Sequence, residues 1–300
     1  MSTLNLDQVA SFLSISRNLS FRAGARVRGL SQGAISQQIQ KLEAQLGVRL
    51  IERDSAGCSL TYEGRVFLPY AERLLTLSTN ALGAFRDKPI TIGASSNIGI
   101  YLLSPYVKAY LKGANEKSQL DVKIYQNPTV ADKLATGEVD VAAMEWWDGR
   151  PGYEARLWRH EELVVIVPPN HPWASLKCLP RDMLKGVPLL GGEPGTGTGR
   201  ILANYYGVDA PEITVGMQLG STDAVKHWVK AGLGVSLVLA SSVIEEIRAG
   251  MLVSVPLEDG GPQKALYIIW RDTLAENHPA HRFGSWLVSC ADGSGADIHH

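Results

Sequence analysis

Cysteine is scarce in this chain of 300 residues: Cys58, Cys178 and Cys290 are its only thiols, odd in number and widely spaced. That excludes a disulfide framework and a cysteine-knuckle metal site, and it predicts reduced thiols in a cytoplasmic protein. Long apolar runs are also missing, so no segment is expected to span a membrane. The opening MSTLNLDQ has neither the basic n-region nor the apolar h-region of a secretory leader. Charge of one sign does not dominate, with 29 Lys and Arg against 30 Asp and Glu for a net of -1. What is plentiful is apolar sequence, 45% of the chain, enough for more than one core.

Catalytic patterns are absent as well. GlyThrGlyThrGly at 195–199 lacks the Lys and hydroxyl residue of a phosphate-binding loop, and no acidic residue follows at dinucleotide spacing. The seven histidines show no metal-ligand spacing, and no Ser or Cys sits in a nucleophile motif. No catalytic residue, metal or cofactor is expected.

The near-zero charge hides an asymmetry. Residues 1–60 hold seven Lys or Arg against four Asp or Glu, which leaves twenty-two against twenty-six for the remainder. The basic part also carries the most telling pattern. Over residues 31–53, Ile35, Ile39, Leu42 and Leu46 recur at helical spacing, while Gln32, Ser36, Gln37 and Gln40 fall on the opposite face. Amide and hydroxyl groups on one face of a helix suit the edges of bases in the major groove, where Gln can bond adenine in bidentate fashion. Upstream, Leu6, Val9, Phe12 and Leu13 predict one helix and 21–28 a second, with Gly29 for the turn and Ser31 as the next N-cap. This is a helix-turn-helix pattern, and Arg17, Arg22, Arg26, Arg28, Lys41, Arg49 and Arg53 surround it as phosphate binding requires.

From Tyr62 to about Arg86 two adjacent apolar stripes predict a long helix: Phe67, Tyr70, Leu74, Leu77 and Ala81 on one, Leu68, Ala71, Leu75, Leu82 and Phe85 on the other. Such a helix would run about 37 Å, more than one small domain covers, and is expected to pair with its copy in a second subunit. Pro69 should kink it. After Asp87-Lys88-Pro89 the pattern changes to short strands at 90–93, 122–125, 139–144, 163–167, 189–190, 235–239 and 266–270, interleaved with helices such as 103–111 and 222–231. Alternation of this kind predicts mainly parallel sheets covered by helices.

The run from Ser20 to Arg53, SFRAGARVRGLSQGAISQQIQKLEAQLGVRLIER, resembles the DNA-binding signature of the LysR-type transcriptional regulators almost position by position, and the order of segments to about residue 290 is similar too. Departures are Arg22, Arg28 and Gly33, the last standing where the family has Pro, and a wing at 55–60 without arginine, for which Arg53 is the nearest substitute. The resemblance implies an α plus α/β protein: a winged helix-turn-helix over 1–61, a linker and dimerisation helix over 62–88, and over 89–295 an effector domain of periplasmic-binding-protein type, followed by a tail at 296–300. One subdomain would hold 89–161 and 266–295 and the other 162–265, with a cleft between them.

On that reading Ser31, Gln32, Ser36, Gln37 and Gln40 contact base edges of an interrupted palindrome in double-stranded DNA, and Arg22, Arg26, Lys41 and Arg53 contact phosphates. Segments following strands would line the cleft: Ser95, Ser96 and Asn97; Asn127 and Thr129; Glu145 and Trp146; Glu193, Thr196 and Thr198. GASSNIGIYLLSP, Met144-Glu145 and EPGTGTGR resemble the branch that regulates sulfur assimilation and carbon fixation, which implies a small anionic effector. Trp146 replaces a glycine of that branch and is either a stacking wall or subdomain packing with Trp147. A homodimer or tetramer and RNA polymerase are the implied protein partners. Two alternatives are a solute-binding or enzymatic α/β protein without specific DNA binding, and a constitutive DNA-binding protein with a vestigial cleft.

Overall fold

The computed structural model describes residues 3–54, 57–83, 89–113, 119–192, 197–207 and 212–291, the side chains at 53, 54, 57, 80 and 83 excepted. The chain divides into two compact units at Lys88 and Pro89.

In the first unit α1 (Leu6–Asn18), α2 (Phe21–Arg28) and α3 (Gln32–Leu46) are each started by a side chain that accepts from a backbone N–H. Asn5 accepts from Asp7, Ser20 from Ala23 and Ser31 from Ala34, at 2.8, 3.2 and 3.1 Å. Gly29 ends α2 at φ +65°, the left-handed conformation that glycine adopts without a steric penalty. Val9, Phe12, Ile15, Ile35, Ile39 and Leu42 form the core between the helices. The approach of α1 to α2 depends on Gly24, because a Cβ there would stand 2.9 Å from Cγ1 of Ile15.

A hairpin of β1 (Ile51–Asp54) and β2 (Gly57–Leu60) follows, and the Glu43 carboxylate anchors it by accepting from the N–H of Leu50 at 2.7 Å and of Ile51 at 3.1 Å. The long helix α4 (Tyr62–Gly83) continues through Pro69 without a break. Its two apolar stripes divide differently from the expectation. Phe67, Leu68, Ala71, Leu74 and Leu75 pack on the unit's own core, with Phe67 against the Phe12 ring at 5.3 Å. Tyr62, Val66, Tyr70, Leu77 and Leu82 remain exposed. A helix broad enough to bury two faces has used one of them within its own unit.

The second unit is built on a seven-stranded sheet. Its first lobe contains β3 (Ile90–Ser95), a π-helical stretch at Ile98–Leu102, α5 (Leu103–Gly113), β4 (Leu120–Tyr125), α6 (Asn127–Thr136) and β5 (Val141–Met144). β6 (Tyr153–Val167) then leads into the second lobe, with β7 (Leu189–Gly191), α7 (Thr198–Tyr206), β8 (Val215–Gln218), α8 (Thr222–Lys230), β9 (Ser236–Leu239), α9 (Ile244–Arg248) and β10 (Val253–Val255). β11 (Gln263–Arg271) returns to the first lobe, and α10 (Pro279–Ala291) packs on it with Gly284 against the Trp270 ring.

The sheet is mixed rather than mainly parallel: β3 is parallel to β4 and β5, but β11 is antiparallel to β5 and β6, and β6 to β9 and β10, while β7 and β8 form a separate two-stranded parallel sheet. The cause is the length of β6. Its first part pairs with β11 over Tyr153–Glu162, and its last residues, from Leu163, pair with β9 and β10. One strand therefore serves both lobes, and each lobe buries its own apolar clusters, around Ile92, Ile98 and Trp270 in the first and around Val165, Leu202 and Leu237 in the second.

Candidate functional site

Burying Ile35, Ile39 and Leu42 turns the other side of α3 to solvent. Gln32, Gln37, Gln40 and Lys41 are exposed on that side, Ser36 is half-buried beside them, and Ser31 is exposed while capping the helix. Gln38 faces inward, accepting from the Ser11 hydroxyl of α1. Arg22 and Arg26 are exposed on α2. Ion pairs occupy two of the other arginines, Arg17 with Glu72 at 3.5 Å and Arg28 with Asp7 at 3.1 Å. Among the described residues none engages Arg22, Arg26, Lys41 or Arg49, so these four present an uncompensated positive surface beside the amide face. Arg53 pairs with Cys58 in the hairpin register, but its side chain, like the tip at 55–56, lies outside the described residues.

In the second unit the side chains meet where β6 and β11 pass between the lobes. Lys264 of β11 is 1% exposed and Glu145, just past β5, is 2% exposed. Their Nζ and Oε2 are 2.8 Å apart. Glu145 also accepts from Asn97 Nδ2 at 3.1 Å, and its backbone N–H donates to Asn127 Oδ1 at 2.8 Å. The network then enters the second lobe: Thr222 Oγ1 donates to Asn97 Oδ1 at 2.7 Å, and Lys264 Nζ donates to Thr198 Oγ1 at 3.0 Å. Thr198 opens α7 and Thr222 opens α8, so two helix N-termini point at the same polar cluster.

Two further contacts tie the lobes. Trp146 packs against Gly197, where a Cβ would lie 2.9 Å from its Cδ1, and carries the Arg200 guanidinium over its ring at 5.1 Å. Tyr101 donates to Asp223 Oδ1 at 2.9 Å beneath Lys226, whose ammonium lies 4.7 Å from the Tyr101 ring and pairs with Asp223 and Glu246, each at 2.9 Å. Burial, then the bond to Asp223, raises the Tyr101 hydroxyl above the usual tyrosine range. Burial opposes the Lys226 charge, but hydrogen bonds to Glu246 and Asp223 outweigh it and hold the ammonium above the usual lysine range. The hydrogen bond from Lys226 holds Asp223 below the usual carboxylate range.

A cavity of about 210 Å³ adjoins this network, lined by Asn97, Gly191, Thr198, Gln218, Thr222 and Lys264 together with leucines and valines of the second lobe. Of the residues expected there, Asn97 and Thr198 line it; Asn127, Glu145 and Trp146 stand behind or beside them. Ser96 is turned to the Tyr125 carbonyl at 3.3 Å, the buried Ser95 hydroxyl has no partner among the described residues, and Thr129 is half-buried in α6. Glu193 and Thr196 lie outside the described residues. Lys264, Thr222 and Gln218 escaped the sequence reading. Lys264 precedes the apolar run Ala265–Trp270 and looks like an ordinary polar strand end, and only the β6 and β11 pairing reveals its burial.

Among the described residues no group of three His, Cys, Asp or Glu could hold a metal ion, and no helix is long and apolar enough to cross a membrane.

Both units match family models: residues 6–65 the bacterial regulatory helix-turn-helix protein of the lysR family, and residues 85–290 the LysR substrate binding domain. The chain is 47% identical over 195 residues to an HTH-type transcriptional regulator protein, PtxE of Stutzerimonas stutzeri, covering 65% of this chain and 100% of that protein. It is 27% identical to a protein named as a RuBisCO transcriptional regulator of Emiliania huxleyi, over 98% of both chains. Among solved structures, a full-length OxyR variant from Pseudomonas aeruginosa superposes with a TM-score of 0.68 at 22% identity, over 97% of this chain and 95% of that one. CbnR, a LysR family regulator, gives 0.69 at 20% identity over 96% and 99%. With an amide-faced helix-turn-helix in one unit, a two-lobed α/β body in the other, and family models matching both, the chain belongs to the LysR family of DNA-binding transcriptional regulators and is not an enzyme.

Proposed function

We propose that the chain binds an interrupted palindromic operator as a dimer or tetramer in the cytoplasm, and that a small anion held between the lobes of its second unit modulates this binding. The observation that carries the DNA reading is the face of α3: Gln32, Gln37, Gln40 and Lys41 exposed, Ser31 and Ser36 beside them, and Ile35, Ile39 and Leu42 buried on the opposite face. Gln and Ser at base edges supply sequence selectivity; Arg22, Arg26, Lys41 and Arg53 on phosphates supply affinity and register. The exposed stripe Tyr62, Val66, Tyr70, Leu77 on α4 supports pairing with a second copy, which would place two recognition helices on two half-sites.

Residues 1–61 serve as the DNA-binding part, 62–88 as the linker and 89–295 as the effector domain, with 89–161 plus 266–295 and 162–265 as its two subdomains. Asn97, Thr198 and Lys264 on the cavity support an anionic effector. The effector acts by preferring one degree of lobe closure, and the dimers carry that preference to their DNA heads and to RNA polymerase. Gel-shift binding to the DNA just upstream of the chain's own gene, with non-specific competitor and at two salt concentrations, tests the reading. Competitor-resistant binding is the expected result. Ligand affinity combined with no DNA selectivity at any salt would overturn it in favour of a solute-binding protein.

A further inference from the structure

The cavity couples a charged end to an apolar one. Its charged end is Lys264, the single ionisable residue among its described lining residues, with Asn97, Thr198 and Thr222 around it. Its other walls come from the second-lobe core, including Leu189, Leu202, Leu237 and Leu239. Arg200 is exposed over Trp146 and is not part of the lining. A volume of about 210 Å³ suits a compact ligand.

The charge balance narrows the class further. Lys264 is already neutralised by Glu145 at 2.8 Å, in a place where neither side chain reaches water. A dianion would bring two negative charges to one buried cation with a carboxylate beside it, and an uncharged ligand would offer Lys264 only a neutral acceptor in place of a carboxylate. A single negative charge can take the lysine in place of Glu145, and a short hydrocarbon body then covers the leucines.

Resting on the reading of this cleft as the effector site, we propose that it selects a small organic monoanion, with its carboxylate on Lys264 and its apolar body among the second-lobe leucines, and that Glu145 is the internal competitor for that lysine. Glu145 thereby sets specificity: it raises the threshold for any anion and excludes those of higher charge. Because Lys264 also bonds Thr198 and Glu145 also bonds Asn97, the exchange bears on both lobes at once.

The test uses the full chain and simple probes: butyrate, its uncharged counterpart 1-butanol, the butylammonium cation, sulfate and inorganic phosphate, with sodium chloride matching ionic strength. Melting midpoints and isothermal titration are measured for wild type, Glu145→Gln and Thr198→Val. Butyrate should raise the midpoint saturably while the other four do not. Glu145→Gln, which keeps the shape of the side chain and removes its charge, should bind butyrate about tenfold more tightly; Thr198→Val, which takes an acceptor from the Lys264 ammonium, should bind it more weakly.

Equal stabilisation by 1-butanol, stronger binding of sulfate or phosphate, unchanged or weaker butyrate affinity in Glu145→Gln, or no response to any probe in any of the three proteins would each overturn the proposal. Operator gel shifts on the same preparations separate the two failures. Selective DNA binding with the wrong ligand class leaves the regulator reading intact; butyrate binding with no DNA selectivity sinks that reading and keeps this one.

Discussion

Replacing Lys264 with Met tests the polar network at its most sensitive point. The side chains of Lys264 and Glu145 are 1% and 0% exposed, so the substitution leaves a carboxylate in the protein interior with Asn97 as its remaining described side-chain donor. Losing one partner of a buried pair in this way costs about 3 to 5 kcal/mol, because the desolvation of the survivor is no longer offset. Replacing both members with apolar side chains of similar volume removes that penalty, and Glu145→Leu combined with Lys264→Met is expected to return to within about 1 kcal/mol of wild type.

The chain offers a clean optical probe for this experiment. All seven tryptophans lie between Trp146 and Trp286, so fluorescence follows the second unit alone. With a urea m-value near 2.5 kcal/mol/M, a loss of about 4 kcal/mol moves the midpoint down by roughly 1.6 M. A shift in the single variant of less than about 0.4 M, near 1 kcal/mol on the same slope, would mean that water reaches the pair and that the site is not sealed. A double variant no more stable than the single one would show that the network acts through hydrogen bonds to Asn97 and Thr198 rather than through charge.

Gln37→Ala should cost roughly 1 to 3 kcal/mol of operator binding and relax the preference at one base, whereas Lys41→Ala should weaken all sequences and reduce the slope of log affinity on log salt by about one unit; competition gel shifts at several salt concentrations tell them apart. Leu19, exposed at φ +47° between α1 and α2, occupies a conformation that carries a steric penalty of about 1 kcal/mol, so Leu19→Gly should stabilise the first unit by up to that amount in thermal unfolding followed by circular dichroism. The raised Tyr101 and Lys226 contribute stability that is complete below their unfolded values, near 10 for each, and is lost as pH rises through their higher folded values. Urea midpoints of the second unit should therefore fall between about pH 9 and 11, and Tyr101→Phe should flatten that fall; an unchanged profile would refute the raised Tyr101 hydroxyl.

What the sequence disclosed depended on how local each signal was. The three helices of the first unit were legible to the residue at α2, because Ser20, Gly29 and Ser31 mark its ends and the start of α3 through bonds spanning at most a few residues. The runs at 90–93 and 266–270 exposed β3 and β11 because both strands are buried and apolar. The first ten residues of β6, YEARLWRHEE, were missed. Of these, Trp158 and Glu161 are buried while Arg156 and Leu157 face solvent, and no apolar alternation announces a strand. Missing that strand also hid the antiparallel pairings, and with them Lys264, whose burial exists only because β6 and β11 lie side by side. Asn97 and Glu145 were singled out from their positions after strands and Thr198 from its place before a helix, but the partners that they bond come from up to 125 residues away.

On the proposed reading, those long-range partners join ligand binding to lobe movement. β6 runs through both lobes and β11 begins where the chain crosses back to the first lobe, so the lobes can turn relative to one another only by bending the chain near Glu162 and Gln263. Lys264 is the next residue on β11, and its ammonium bridges Glu145 of the first lobe and Thr198 of the second. Bending at this point pulls the lysine from one oxygen or the other. Asn97 is in the same position, with Glu145 on its amide nitrogen and Thr222 on its oxygen. A ligand that takes over any of these bonds changes the relative energy of open and closed lobes by the energy of that bond, and bonds to charged groups are worth about 1.5 to 3 kcal/mol. That range corresponds to a shift of roughly tenfold to more than a hundredfold in the ratio of the two arrangements, which is sufficient for a regulator.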